Sequence, residues 1–174
     1  KKGISDVFIY YNGHGAPAPD SKTSYFVPVD SDPALIQLTG YPINQFYNIL
    51  NSLDVREITV VIDACFSGVT QTGPILRNVS PVHIKINENI STRENITIFT
   101  SSSGYEYSAW YPEKKHNVYS YYFMKALQGD ANLNGDSVLT IGEIDRYLNE
   151  KVSYRARRLN SIDQNPRVRT SNRD

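Results

Sequence analysis

The chain has 174 residues, enough for one domain, and its 40% apolar content against 21% charged residues excludes a disordered tail. Lys plus Arg (18) balances Asp plus Glu (18), so no net field draws the protein to nucleic acid or to a membrane surface. No apolar run approaches the ~18 residues of a membrane span, and a single cysteine, Cys65, excludes an internal disulfide.

Residues 6–12 (DVFIYYN) form a nearly continuous apolar run, which predicts a strand buried on both faces. Gly13, Gly15, Pro17, Pro19 and Asp20 then predict a loop. Residues 25–29 (YFVPV) read as a short extended piece that Pro28 confines to an edge. Over 42–53 the apolar residues recur at helical spacing, with Pro42 suited to a first turn. Residues 57–63 (EITVVID) are a second buried strand, closed by Ala64-Cys65-Phe66-Ser67-Gly68. The polar, irregular stretch 69–94 is too long for a plain connector and is expected to be a mobile, functional loop. Residues 95–100 (NITIFT) predict a third strand, 101–110 a Ser-rich aromatic loop, and 118–127 and 140–157 helices. The arginines from Arg155 to Arg173 read as a solvated helix face and tail.

Alternating strands and helices predict an α/β domain with a parallel sheet covered on both faces. Functional groups in such sheets gather beyond the carboxyl ends of adjacent strands. Two motifs sit there: Asn12-Gly13-His14-Gly15 and Asp63-Ala64-Cys65. A thiol attacks a carbonyl only as thiolate, and an imidazole beside it can take its proton and pass it to the leaving amine. Of the three histidines, only His14 lies between glycines at a strand end; His83 and His116 read as surface residues. The amides of Gly15 and Cys65 are the natural pair of oxyanion donors. A buried structural thiol is the alternative for Cys65. Ser67 is a weaker nucleophile candidate, because the first glycine of a G-x-S-x-G elbow is missing.

The stretch YYNGHG, with the cysteine of DACFSG 51 residues after its histidine, resembles the catalytic pair of the caspase, metacaspase and legumain clan. YFVPVDSD, YSYYFMKALQGDANLNGD and Gln164-Asn165-Pro166 are similar to segments of its bacterial homologues, so the resemblance spans most of the chain. It implies a three-layer caspase-like fold over 1–174 and a cysteine peptidase with catalytic His14 and Cys65. The family's core begins with two strands before the His strand. None is predicted here, so the domain reads as N-terminally incomplete, with an upstream fragment as a candidate partner. Phe66-Ser67-Gly68 after the cysteine matches the metacaspase side of the clan.

Asp63 lies two residues before Cys65, on the same strand face, where a carboxylate attracts Arg or Lys of a polypeptide substrate. In metacaspases the corresponding acid lines the pocket for a basic side chain. An Asp capping a nearby helix is the alternative. A basic preference directs attention to Arg77, Lys85 and Arg93 as autoprocessing points in the long loop. Asn132, Asn134, Asp136, Val138, Thr140 and Glu143 fit the ligand spacing of a calcium loop, with Asn at the first position and Ser137 where glycine is usual. Thr140 and Glu143 equally spell a helix capping box. No cofactor is required by this chemistry, and calcium is the one metal the spacing suggests. A catalytically silent scaffold and a calcium-responsive interaction module stand as alternatives to the peptidase. A reactive lone thiol favours a reducing, cytoplasmic setting.

Overall fold

In the computed structural model, which describes residues 1–17, 23–66, 69–70, 73–74, 93–103 and 106–171, the apolar runs become a central sheet. The chain opens with β1 (Asp6–Asn12), β2 (His14–Pro17) and β3 (Ser24–Val27), then α1 (Ile36–Thr39), β4 (Tyr41–Pro42), α2 (Ile43–Ser52) and β5 (Glu57–Asp63). After β6 (Val69–Thr70) and β7 (Gly73–Pro74) come β8 (Ile96–Thr100), β9 (Trp110–Tyr111) and β10 (His116–Asn117). Helices α3 (Val118–Lys125) and α4 (Ile141–Asn160) lead to β11 (Arg167–Arg169).

The central sheet has the order β1-β5-β8-β11, with β1, β5 and β8 parallel and β11 antiparallel to β8. Side-chain alternation along β5 divides the core in two. Ile58, Val60 and Ile62 pack with Ile43, Tyr47 and Leu50 of α2, while Val61 joins Phe99 and the inner faces of α3 and α4. The result is the three-layer α/β arrangement expected, with a mostly parallel sheet between helices. Burying Leu50 fully contributes about 1.5–3 kcal/mol, which α2 gains by placing Ile43, Tyr47 and Leu50 on one stripe. Helix α4 buries Ile144, Leu148, Val152 and Ala156 at the same kind of spacing.

Four expectations are corrected. Strand β1, which among the described residues pairs on one side only, is not buried on both faces: Asp6, Phe8, Tyr10 and Asn12 share one face of the sheet by alternation, and that face is left exposed. Residues 14–17 form a strand rather than loop. The pairing of β2 with β3, and of β3 with β4, satisfies backbone groups that the Gly-Pro composition assigned to a turn. For the same reason 25–27 lie in the middle strand of a small sheet, with Pro28 just past its end. Arg167 and Arg169 belong to a strand that closes the main sheet, held by the pairing Val168↔Phe99, rather than to a solvated tail. The stretch 69–94 was expected to be a mobile loop; apart from β6, β7 and residues 93–94 it lies outside the described residues.

Helix α4 starts at a capping box: Thr140 Oγ1 accepts from the Glu143 N–H at 3.2 Å and Glu143 Oε2 accepts from the Thr140 N–H at 3.0 Å. Replacing Thr140 by Ala leaves first-turn donors unpaired. Thr140→Ala should lose about 1 kcal/mol and lower the melting temperature by roughly 2–4 °C in a calorimetric scan.

Candidate active site

Strands β1 and β5 pair with a constant offset of 51 residues, from Asp6↔Glu57 to Asn12↔Asp63. That offset equals the spacing of His14 and Cys65, and the ladder runs on past the strand ends to reach them. The Gly13 N–H donates to the Asp63 carbonyl at 3.2 Å and the Gly15 N–H to the Cys65 carbonyl at 3.2 Å. His14 and Cys65 therefore leave adjacent strands side by side at the carboxyl rim. His14 is exposed, and its carbonyl accepts from the Tyr11 hydroxyl at 2.8 Å. A β-carbon on Gly15 would lie 2.3 Å from the Phe66 ring, so glycine lets Phe66, 1% exposed, press against the histidine strand. Anchoring Phe66 in the core next to Phe26 in turn fixes the chain just beyond the cysteine.

The Gly15 amide is not the free oxyanion donor expected from the sequence. One N–H serves one acceptor well, and the Cys65 carbonyl already holds this one.

Cys65 Sγ accepts a hydrogen bond from the backbone N–H of Ser108. Burial pushes the thiol above its usual range, with the neighbouring Asp63 charge adding to the rise, while the Ser108 N–H pulls it down. Burial thus favours the neutral thiol over the thiolate.

Asp63 is completely buried. Its Oδ1 accepts from Ser108 Oγ at 2.8 Å, and its Oδ2 accepts from Ser120 Oγ, from the Ser120 N–H at 3.2 Å and from Asn12 Nδ2 at 3.5 Å. Ser120 lies in the first turn of α3, so the carboxylate caps that helix from across the sheet, as the capping alternative had it. Asn12 is exposed and Ser108 half-buried, whereas the Ser120 contacts are enclosed. The side chain of Asn117, at the N-terminal end of α3, adds a further hydrogen bond to the carboxylate. Desolvation pushes the Asp63 carboxyl above its ordinary value, against the lowering effect of the Ser120 and Ser108 hydrogen bonds.

The calcium-spaced loop spends its oxygens on itself. Asn132 Oδ1 accepts from the Gly135 N–H at 2.9 Å, Asn134 Oδ1 from Asp136 at 3.0 Å and Asp136 Oδ1 from Val138 at 2.9 Å. Glu143 Oε2 accepts from both the N–H and the hydroxyl of Thr140, each at 3.0 Å. No group of three or more His, Cys, Asp or Glu able to hold a metal occurs among the described residues. With two carboxylates, one of them committed to the helix cap, the loop as it stands is a self-bonded turn. His116 is exposed on β10, where it pairs with Tyr111. His83, Ser67, Arg77 and Lys85 lie outside the described residues.

Arg93 is placed far from the cysteine. Its backbone N–H donates to Asn51 and its guanidinium to the Leu53 carbonyl, at the end of α2 and the start of β8. That is the opposite end of the sheet, about 20 Å from Cys65 along the seven residues of β5. In this conformation Arg93 is therefore held away from Cys65.

Sequence reading missed Ser101, Ser108, Ser120 and Gln164, all of which meet at Asp63 and Cys65 or one bond away. The one available signal was position: the Ser-rich loop follows β8 at the same rim, where the Ser101 N–H donates to the Ile62 carbonyl at 2.9 Å. No helix among the described residues is long and apolar enough to cross a membrane. In comparisons with known proteins, the family model described as the caspase domain matches residues 2–174. No curated protein matches the chain.

A carboxyl whose folded-state pKa exceeds its unfolded value gives its full stability below that unfolded value, 3.8, and loses it as pH rises through the folded value. Asp63→Asn removes this loss. Thermal melts between pH 4 and 8 should therefore show the variant gaining on the wild type as pH rises; a constant difference would mean that Asp63 ionises without cost.

Proposed function

From the premise that the chain belongs to the caspase-domain family, as the match over 2–174 establishes, we propose that this cysteine peptidase cleaves polypeptides after Arg or Lys, with Cys65 as nucleophile and His14 as acid and base. The observation that supports this reading most is the shared register of β1 and β5, which carries His14 and Cys65 to neighbouring positions at the carboxyl rim.

In the proposed reaction the His14 imidazole takes the thiol proton and Cys65 Sγ attacks the scissile carbonyl carbon. The tetrahedral intermediate collapses to a thioester as His14 gives the proton to the leaving amine. Water, deprotonated by His14, then attacks the thioester and the thiol leaves with that proton. Stabilising the oxyanion requires the Cys65 peptide to turn so that the Gly15 N–H is released, which makes the described conformation a resting one. Asp63 supplies the basic preference. A substrate guanidinium entering past Asn12 and Ser108 would exchange two neutral donors for a charge-assisted, bidentate contact.

The occupied Gly15 amide also favours one competing reading, a catalytically silent scaffold. Kinetics separate the two. Cys65→Ala should abolish cleavage of fluorogenic peptides, and His14→Ala should lower turnover by at least ~10²-fold. Wild type without measurable turnover would identify the silent scaffold.

Specificity is read from peptides differing only in the residue before the scissile bond. Arg and Lys peptides should be turned over and Asp peptides refused, since a buried carboxylate repels a second one. Robust cleavage after Asp would remove Asp63 from the pocket and leave it a helix cap.

A further inference from the structure

The segment that touches the nucleophile has little regular structure of its own. Residues 106–109 are irregular, yet they present the Ser108 N–H to Cys65 Sγ and the Ser108 hydroxyl to Asp63. What holds them comes largely from the turn after α4. Gln164 is completely buried; its Oε1 accepts from the Ala109 N–H at 2.9 Å and its Nε2 donates to the Ser101 carbonyl at 3.0 Å and to Ser108 Oγ at 3.5 Å. Next to it, the backbone N–H and Nδ2 of Asn165 each donate to the Glu106 carboxylate at 2.6 Å. Ser153 Oγ donates to the Gln164 carbonyl at 2.7 Å, tying this turn to the middle of the 20-residue helix α4.

We propose that Gln164 is a positioning residue for the Cys65 chemistry: its amide locks the Ser101 and Ala109 backbones together so that the Ser108 N–H stays on the Cys65 sulfur. The inference rests on Cys65 being the reactive group. A primary amide suits the task because it offers an acceptor and a donor in one plane, one for the Ala109 N–H and one for the Ser101 carbonyl. Left without Gln164, both of those backbone groups would be unpaired in the interior, and the segment would shift toward water to satisfy them. Glu106 and Asn165 form a second, half-buried anchor for the same segment. Among the described residues, the titratable groups on the elements that meet the thiol are Asp63 on β5, His14 on β2 and, on the segment itself, Glu106 and Tyr107. Of the polar groups that face the sulfur, the Ser108 N–H depends on Gln164.

The test compares Gln164→Met, which keeps length and apolar bulk but removes both hydrogen bonds, with Glu106→Ala, which frees the outer anchor without entering the core. Each variant is first shown to be folded by circular dichroism. Alkylation of Cys65 by iodoacetamide is then followed against pH by intact mass, and Arg-peptide turnover is measured in parallel. A loosened segment withdraws its donor from the sulfur, so the pH midpoint of alkylation should rise by about half a unit to one unit in both variants. kcat should fall ~10-fold, with KM changing less. An unchanged midpoint in the folded variants overturns the proposal and leaves Gln164 a core amide. Should Gln164→Met fail to fold, Gln164→Asn, which keeps the amide but shortens its reach to Ser101 and Ala109, takes its place, and an unchanged midpoint in that variant overturns the proposal. Alkylation reads the thiol directly, so absent peptide turnover in the wild type would sink the peptidase reading while the pH shift still tests the positioning role.

Discussion

Sliding β1 by a single residue against β5 would turn Val7, Ile9 and Tyr11 out of the core beneath α2 and bring Phe8 and Tyr10 into it, because side chains alternate across a strand. The register is therefore set by apolar burial along seven paired residues, far more than by anything at the rim. Yet that register also decides the chemistry. With Asn12 opposite Asp63, the next steps of the two chains place His14 beside Cys65, and no separate device is needed to bring the pair together.

The other constraint is a buried carboxylate that has no cation bonded to it among the described residues. Asp63 lies at the boundary between sheet and α3, where its charge is opposed by desolvation and supported by neutral donors and the N-terminal end of a helix. Such an arrangement holds only if every donor stays in place. Ser120 is fixed because it is part of α3; Ser108 is fixed by contacts that lead through Ala109 and Gln164 to α4. The helical layer thus supports the rim through hydrogen bonds as well as through packing, and Cys65 shares Ser108 with Asp63.

The same economy leaves the site closed. The Gly15 N–H and the Ser108 N–H, two donors next to Cys65, both have partners within the protein, on the cysteine's own carbonyl and sulfur. In the reaction proposed above, these hydrogen bonds are exchanged when an oxyanion or a substrate cation takes the donors.

Local patterns carried much of this protein. The apolar runs at 6–12, 57–63 and 95–100 and the helical spacings at 42–53, 118–127 and 140–157 correspond to β1, β5, β8, α2, α3 and α4, since each is a short-range periodicity that burial enforces. His14, Cys65 and Asp63 stood out because two short motifs ended two such strands. The sequence did not disclose that 14–17 pair as a strand or that β11 returns to close the sheet; pairing partners are chosen by distant segments and leave no periodic trace in either one. Nor could it show that the Gly15 amide is taken, that Asp63 caps α3, or that Gln164 holds Ser108 from 56 positions away. A hydrogen bond needs two groups within about 3 Å of each other, and only the folded chain decides which groups those are.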